Sequence, residues 1–561
     1  METQEKIIIY QVFTRLFGNN TVHCKTNGSM EDNGCGKMAD FTPKALQEIK
    51  KLGATHIWYT GIIEHATQTN YTRYDIRPDH PAVVKGKAGS PYAIKDYYDV
   101  DPDLAVKVDH RMKEFENLVN RTHKAGLRMI IDFVPNHVSR QYHSDGKPQG
   151  TDDLGAGDDT NKAFDPQNNF YYCPGESLHL DNLNVSPKDY VEMPAKATGN
   201  DVFHAWPGQN DWYETIKLNY GVDYQNGRYG CFDPIPDTWT KMRDILSFWA
   251  GKGIDGFRCD MAEMVPVEFW GWVIPQIKAK HPNLIFIAEV YNPSEYRNYI
   301  YQGQFDYLYD KVGLYDTLRS VSCGFSSAGC ITSSWQQVDD IQSHMLNFLE
   351  NHDEQRIASE FFAGDARKGK AALLVSACMR TNPMMIYFGQ EFGEKGMDQE
   401  GFSGRDGRTT IFDYWSVDTI RRWRKGNLTL KHMTDDEKAL YQYYRTVLNL
   451  CHTEKTLSEG DFYDLMYAQS PSQFDVYNSF AFLRRHQNTI LLVVANFSGR
   501  EQKQSVMIPS HVFRFYELEG KEKCEAKDLL SGNKDTFKFM PDALIPVTVP
   551  AYGGCIWKIT L

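Results

Sequence analysis

Eight short apolar runs, most of them separated by an amphipathic stretch, constrain this 561-residue chain more than any other feature. They occupy residues 7–13, 55–60, 128–134, 256–260, 284–290, 305–309, 345–350 and 384–388. Strands this uniformly apolar are buried on both faces, which calls for a parallel sheet covered by helices. The stretches between them supply the helices. Residues 44–52 follow a Thr42-Pro43 start signal, residues 110–125 space Met112, Phe115, Leu118 and Val119 along one face, and residues 237–250 do the same with Trp239, Met242, Ile245 and Trp249. Residues 371–379 precede the last strand and residues 438–450 follow it. Eight β-α units predict an α/β fold, a closed (β/α)8 TIM barrel. An open doubly wound sheet is the alternative, but no glycine-rich phosphate loop follows the first strand.

Two regions depart from this rhythm. From Val138 to Gly221 the chain is rich in Asp, Asn, Gly and Pro and has no sustained period, which predicts an inserted irregular subdomain after the third strand. Its His204, Trp206, Trp212 and Tyr213 are expected to wall a cleft. Beyond residue 455, short β-rich runs at 480–483, 490–494, 506–508 and 555–559 predict an antiparallel β-sandwich. The expected organisation is therefore barrel over 1–137, insertion over 138–221, barrel again over 222–455, and sandwich over 456–561.

Three of the barrel runs end on a carboxylate: Asp260 in GFRCD, Glu289 after FIA, and Asp353 in ENHD. A parallel barrel gathers the carboxyl ends of its strands around one cleft, so these acids are expected to meet. Hydrolysis of a sugar acetal needs such a set, with one nucleophile, one acid/base and one group that holds the ring. Asp260 is the candidate nucleophile, because Arg258 lies two residues earlier on the same strand face and can keep it ionised. Glu289 is the candidate acid/base, and the apolar run before it predicts the partial burial that favours a protonated carboxyl. The aromatic content of 13% suits a site that stacks on pyranose rings.

Other classes fit less well. A net charge of −12 argues against polyanion partners such as nucleic acid. No run of about eighteen apolar residues is present to span a membrane. There is no HExxH and no paired histidines at ligand spacing, so a catalytic zinc is not expected. The odd count of 11 cysteines, several in apolar runs, favours buried thiols and a cytoplasmic location; Cys24 with Cys35, or Cys323 with Cys330, could bridge. The amino-terminus shows no secretory leader; a leader removed beforehand would make the location periplasmic or secreted.

The motifs DFVPNH (132–137), GFRCD (256–260), FIAEV (286–290) and FLENHD (348–353), in this order, resemble those of the α-amylase family, glycoside hydrolase family 13. The resemblance implies a barrel with a B domain inserted after strand three and a C-terminal sandwich. It also implies retaining cleavage of α-glucosidic bonds in an α-glucan or malto-oligosaccharide through a covalent glycosyl-enzyme, with no cofactor in the chemistry. By motif position it makes Asp260 the nucleophile, Glu289 the acid/base and Asp353 the stabilising acid, with Arg258, His137 and His352 in the sugar-binding floor. Tyr92, in SPYAIKDY, is similar to a tyrosine that stacks on the sugar at the cleavage point. The segment TIKLN (215–219) resembles the neopullulanase and cyclomaltodextrinase branch and adds Asn219 as a candidate sugar contact; Arg356, three residues past Asp353, is another. Asn136 stands where the family's amylases place a calcium ligand, and Asp152, Asp153, Asp158 and Asp159 offer further oxygen donors. A transglycosylase or phosphorylase would carry the same acids, and a non-catalytic binding barrel would have lost at least one.

Overall fold

The computed structural model describes residues 5–396 and 401–561. The first four residues, on which the reading of the amino-terminus rests, lie outside them. Eight parallel strands close into a barrel: β1 (Ile8–Phe13), β2 (His56–Thr60), β3 (Arg128–Phe133), β4 (Gly256–Cys259), β5 (Ile285–Ala288), β6 (Tyr307–Tyr309), β7 (Met345–Phe348) and β8 (Met384–Tyr387). Closure is made by β1 on β8, with Ile9 beside Met385. All eight fall within the runs expected from sequence. Residues along β1 alternate between two cores: Ile8, Tyr10 and Val12 face the surrounding helices, while Ile9 points into the barrel with Trp58, Ile130, Ile287, Leu346 and Met385. Burial on both faces explains why these strands read as unbroken apolar runs.

The helices follow the expected spacing. Helix Pro43–Leu52 starts where the Thr42 hydroxyl accepts from the Ala45 N–H, with proline at its first position. Helices Arg111–Lys124, Asp237–Gly251, Gly369–Cys378 and Asp435–Thr453 also match. Helix Val267–Lys280 was not foreseen, because Pro275 interrupts its pattern. Among the described residues no helix is long and apolar enough to cross a membrane.

The chain leaves the barrel at His137 and returns along a short antiparallel ladder, His137–Ser139 against Thr215–Lys217. The intervening segment has a small core of its own, including Leu178, Leu180, Leu183 and Tyr213, to which Ala82 and Val83 from the loop after β2 contribute. After the barrel, a six-stranded antiparallel sheet and the two-stranded sheet Gln502–Ile508 with Ala543–Val549 share one core, with Leu492 and Ile559 facing Val506 and Ile545. Strands Lys521–Asp528 and Lys534–Phe539 were missed in the sequence because they bury only alternate residues. Arg484, fully buried, ties this region to the barrel by donating to the carbonyls of Cys378, Leu457 and Gly460. All eleven cysteines are free thiols, so neither proposed bridge is made.

Candidate active site

The strand ladders stop one residue short of two of the acids, and this placement builds the site. β4 ends at Cys259, but the Asp260 N–H still donates to the Phe133 carbonyl at 2.9 Å. β5 ends at Ala288, and the Glu289 N–H donates to the Cys259 carbonyl at 3.1 Å. Both carboxylates therefore have backbones pinned by the barrel while their side chains leave it.

Arg258 lies beneath them, fully buried. One guanidinium nitrogen, Nη1, donates to Asp260 Oδ1 at 2.7 Å, and Nη2 reaches Glu289 Oε2 at 2.8 Å. Its Nε donates to the Tyr309 hydroxyl at 3.1 Å, and the ring faces of Trp58 and Tyr92 lie 5.1 and 5.4 Å from the guanidinium carbon. A buried cation is costly unless it is paired and hydrogen-bonded, and here both conditions hold. Glu289 also accepts from the Met261 N–H at 2.8 Å and, through Oε1, from the Tyr291 hydroxyl at 2.6 Å.

Electrostatically the site is a contest. Burial raises the Asp260 pKa well above the ordinary carboxylate value, Arg258 lowers it, and the nearby charges of Glu289 and Asp353 raise it again. The sequence suggests that Arg258 wins; burial and the neighbouring carboxylates outweigh it, and Arg258 is the group that favours the ionised form. Asp132, in the same floor, is pushed up to about 6 by burial, against the pull of Arg258 and a 2.9 Å bond from Trp58 Nε1.

The remaining floor is neutral imidazole. Burial lowers His137 to about 3 and takes His352 well below its usual range. His352 lies between Gln11 Nε2, 2.9 Å from its Nδ1, and the Tyr92 hydroxyl, 2.6 Å from its Nε2, with Asp353 Oδ2 at 3.1 Å. A donor at Nδ1 leaves the ring proton on Nε2, where it serves Tyr92 and Asp353.

Above this floor is a cavity of about 450 Å³, lined by all three acids together with Tyr92 and His137. The Asp260 and Glu289 side chains are only 8% and 4% exposed, whereas Asp353 is 38% exposed and stands at the mouth. The insertion contributes Trp212, Glu214 and Thr215 to the wall. Tyr213 belongs to the insertion's own core, and Trp206 lies outside the cavity, half-exposed and stacked on His179. His204 is exposed and does not line it either.

A family model, alpha amylase catalytic domain, matches residues 11–460. The chain belongs to the α-amylase family. Alpha-amylase 3 of Dictyoglomus thermophilum is 22% identical over 472 residues, 81% of this chain and 78% of that one. A cyclomaltodextrinase from a Bacillus species is 22% identical over 510 residues, covering 87% and 72%. In fold, the chain is similar to the α-amylase from Geobacillus thermoleovorans, a structure complexed with acarbose, with a TM-score of 0.64 at 18% identity and full coverage of both chains. The protein is thus an α-amylase-family glycoside hydrolase.

Three expectations drawn from the family's motifs are corrected by the geometry. Asn219 is fully buried; its amide donates to the Asp165 carbonyl and its oxygen accepts from the Gly221 N–H, so it closes the insertion and does not face a sugar. Arg356 is also fully buried, bonded to Glu350 at 2.9 Å and Thr409 at 2.8 Å, and it braces the loop carrying Asp353 from below. Asn136 is no calcium ligand here. Its oxygen accepts from the Lys217 ammonium, which also pairs with Asp201 at 2.8 Å and donates to the Met264 carbonyl at 3.2 Å. A buried lysine charge sits where three oxygens converge, and a second cation does not fit beside it. Nor do the acid-rich loops gather for a metal: Asp158 accepts from the Asn169 and Phe170 N–H groups, Asp159 from that of Asn161, and Asp153 from that of Ser144. In the buried trio Glu64, Asp96 and Asp99, Asp99 is paired with Arg111 and Asp96 accepts three hydrogen bonds.

Sequence reasoning missed Asp132, Trp58, Gln11, Tyr291 and Tyr309 in the floor, and Lys85 and Arg408 in the wall. Asp132 opens the DFVPNH motif and could have been found there; the others lie at strand positions or loops with no local signal.

Proposed function

We propose that the protein hydrolyses α-1,4-glucosidic bonds of starch-derived chains with retention of configuration. The observation that carries this reading is the one guanidinium that reaches both Asp260 and Glu289. Two carboxyls sharing a single arginine fit the ~5–5.5 Å separation of retaining sites better than the ~6.5–9.5 Å of inverting ones.

In the first step Asp260 Oδ2, the oxygen not held by Arg258 Nη1, attacks the anomeric carbon. The bond to the glycosidic oxygen breaks, and its electron pair takes the proton of Glu289. The leaving chain departs and the donor sugar remains as an ester on Asp260. In the second step Glu289 removes a proton from water, which attacks the same carbon and frees Asp260. Asp353 at the mouth, and Tyr92 and His137 lining the cavity, hold and flatten the donor ring.

Incubation with a 2-deoxy-2-fluoro glycosyl fluoride of the malto series tests this reading. A stable adduct on the Asp260 peptide by mass spectrometry is expected; turnover of maltoheptaose to products of inverted configuration would refute it.

A further inference from the structure

One wall of the cavity over the three acids is announced by no motif. In the hydrolytic reading above Glu289 protonates the leaving oxygen, so Glu289 and the residues bonded to it, Met261 and Tyr291, mark the leaving-group side. Residues 85–90 and 407–413 pack elsewhere, around the groups that hold the donor ring. The Ser90 hydroxyl accepts from the Tyr92 N–H, and the positive charge of Arg408 acts on Asp353. Lys85, Arg408, Ile411 and Phe412 all line the cavity.

These two loops are fastened to each other. The Ala88 N–H donates to the Phe412 carbonyl at 3.1 Å. Gly86, at φ +69°, lies so close that an added Cβ would be 2.2 Å from the same carbonyl oxygen. Buried Arg15 donates to the Gly89 carbonyl at 3.0 Å and to the carbonyl of Ile411. The Tyr414 hydroxyl, just past the second loop, bonds Thr69 and Asp103 at 2.6 and 2.7 Å. From the insertion, Glu214 completes the wall through an ion pair with Lys85 at 2.9 Å, and Lys85 also donates to the Asp211 carbonyl. Both members of the pair are more than nine-tenths buried and both line the cavity.

A long glucan cut in its interior must pass across the catalytic acids and leave on both sides. Among the described residues, the donor side is lined by packed backbone and a buried ion pair. At about 450 Å³, the cavity is at the small end of the range for small-molecule sites. We propose that this wall makes the enzyme exo-acting: it takes the free non-reducing end of an α-glucan, with Lys85 and Glu214 binding the hydroxyls of the terminal donor sugar, and releases products of a few glucose units. The proposal rests on the hydrolytic reading above and deepens it.

The test compares p-nitrophenyl α-maltoheptaoside with the same compound blocked at its non-reducing end by a 4,6-O-ethylidene group, using the wild-type protein. The free compound is expected to be shortened and the blocked one to react about 100-fold more slowly or less. Comparable rates would overturn the inference and leave the hydrolytic reading standing. Cleavage of neither would overturn that reading and the inference with it. The double variant Lys85→Met/Glu214→Gln, which removes the pair without leaving one charge buried alone, is expected to raise the blocked-to-free rate ratio about tenfold. An unchanged ratio in the folded variant would remove Lys85 and Glu214 from the proposal.

Discussion

The floor of the cavity and its walls are built on opposite plans. The floor comes from strand ends: Arg258, Asp260, Glu289 and Asp132 sit within or one residue beyond β3, β4 and β5, and each strand's register fixes where its side chains emerge. The walls come from loops at residues 85–90, 138–221 and 407–413, held by contacts between segments more than 100 residues apart, such as Lys85 with Glu214 and Ala88 with Phe412. Reaction chemistry here is a property of local sequence placed on a rigid ladder, whereas the shape offered to the substrate is a property of long-range packing. Substitutions in the two regions should therefore fail differently.

The largest effect is expected in the floor. Asp260→Asn keeps an oxygen for Arg258 Nη1 to bond but removes the nucleophile, so kcat should fall on the order of 10⁴-fold or more with little change in melting temperature. A variant retaining a tenth of wild-type kcat would show that the covalent step lies elsewhere.

This division also explains what could be read before any coordinates. The barrel was legible because each strand is buried on both faces, and Asp260 and Glu289 were legible because they follow directly on β4 and β5; Asp353, expected at the end of a strand, lies in the loop five residues past β7. Asn219 and Arg356 were misplaced for the opposite reason. They neighbour motif residues in the chain, but their side chains turn inward to Asp165 and Gly221, and to Glu350 and Thr409. Lys85 has no local pattern at all; its role exists only because Glu214, from the inserted segment, comes to meet it.

Lys217 sits at the join between floor and insertion and should give the next largest effect. Lys217→Ala leaves the partly exposed Asp201 without its buried partner and Asn136 without its donor, at a cost of about 1–3 kcal/mol in denaturant unfolding. In that variant the three freed oxygens can accept a divalent ion, so millimolar calcium is expected to restore part of the loss. The wild type should melt at the same temperature with calcium or with chelator. A chelator-induced drop in the wild type would put a metal back at this junction.

The other end of the barrel offers a control that touches no substrate. His56, at the start of β2, is held by burial at about 3, close to the value of His137 in the floor. The unfolded chain takes up its proton near pH 6.5, while the folded chain resists until about 3. The stabilisation from a neutral His56 is therefore complete above pH 6.5 and is lost as pH falls toward 3. Asp132, raised to about 6, acts in the opposite sense, since its stabilising protonation is lost as pH rises through that value. Comparing wild type with His56→Gln cancels the carboxyl contribution. Below pH 6.5 the wild type should lose stability relative to the variant, by on the order of a few kcal/mol at the acid limit. Parallel pH curves for the two proteins would mean that His56 takes up a proton without resistance.

The smallest effect marks where the wall stops. Trp206 belongs to the same insertion as Trp212, but only Trp212 lines the cavity; Trp206 is half-exposed with its ring 3.5 Å from that of His179, nearly parallel. Trp206→Ala removes one surface stack and should cost about 1 kcal/mol or less. Its kcat/KM on maltoheptaose should stay within about twofold of wild type, since no group in the cavity depends on it. A tenfold loss in kcat/KM, confined to KM, would extend the substrate path out to this tryptophan and place part of the glucan on the insertion's outer face.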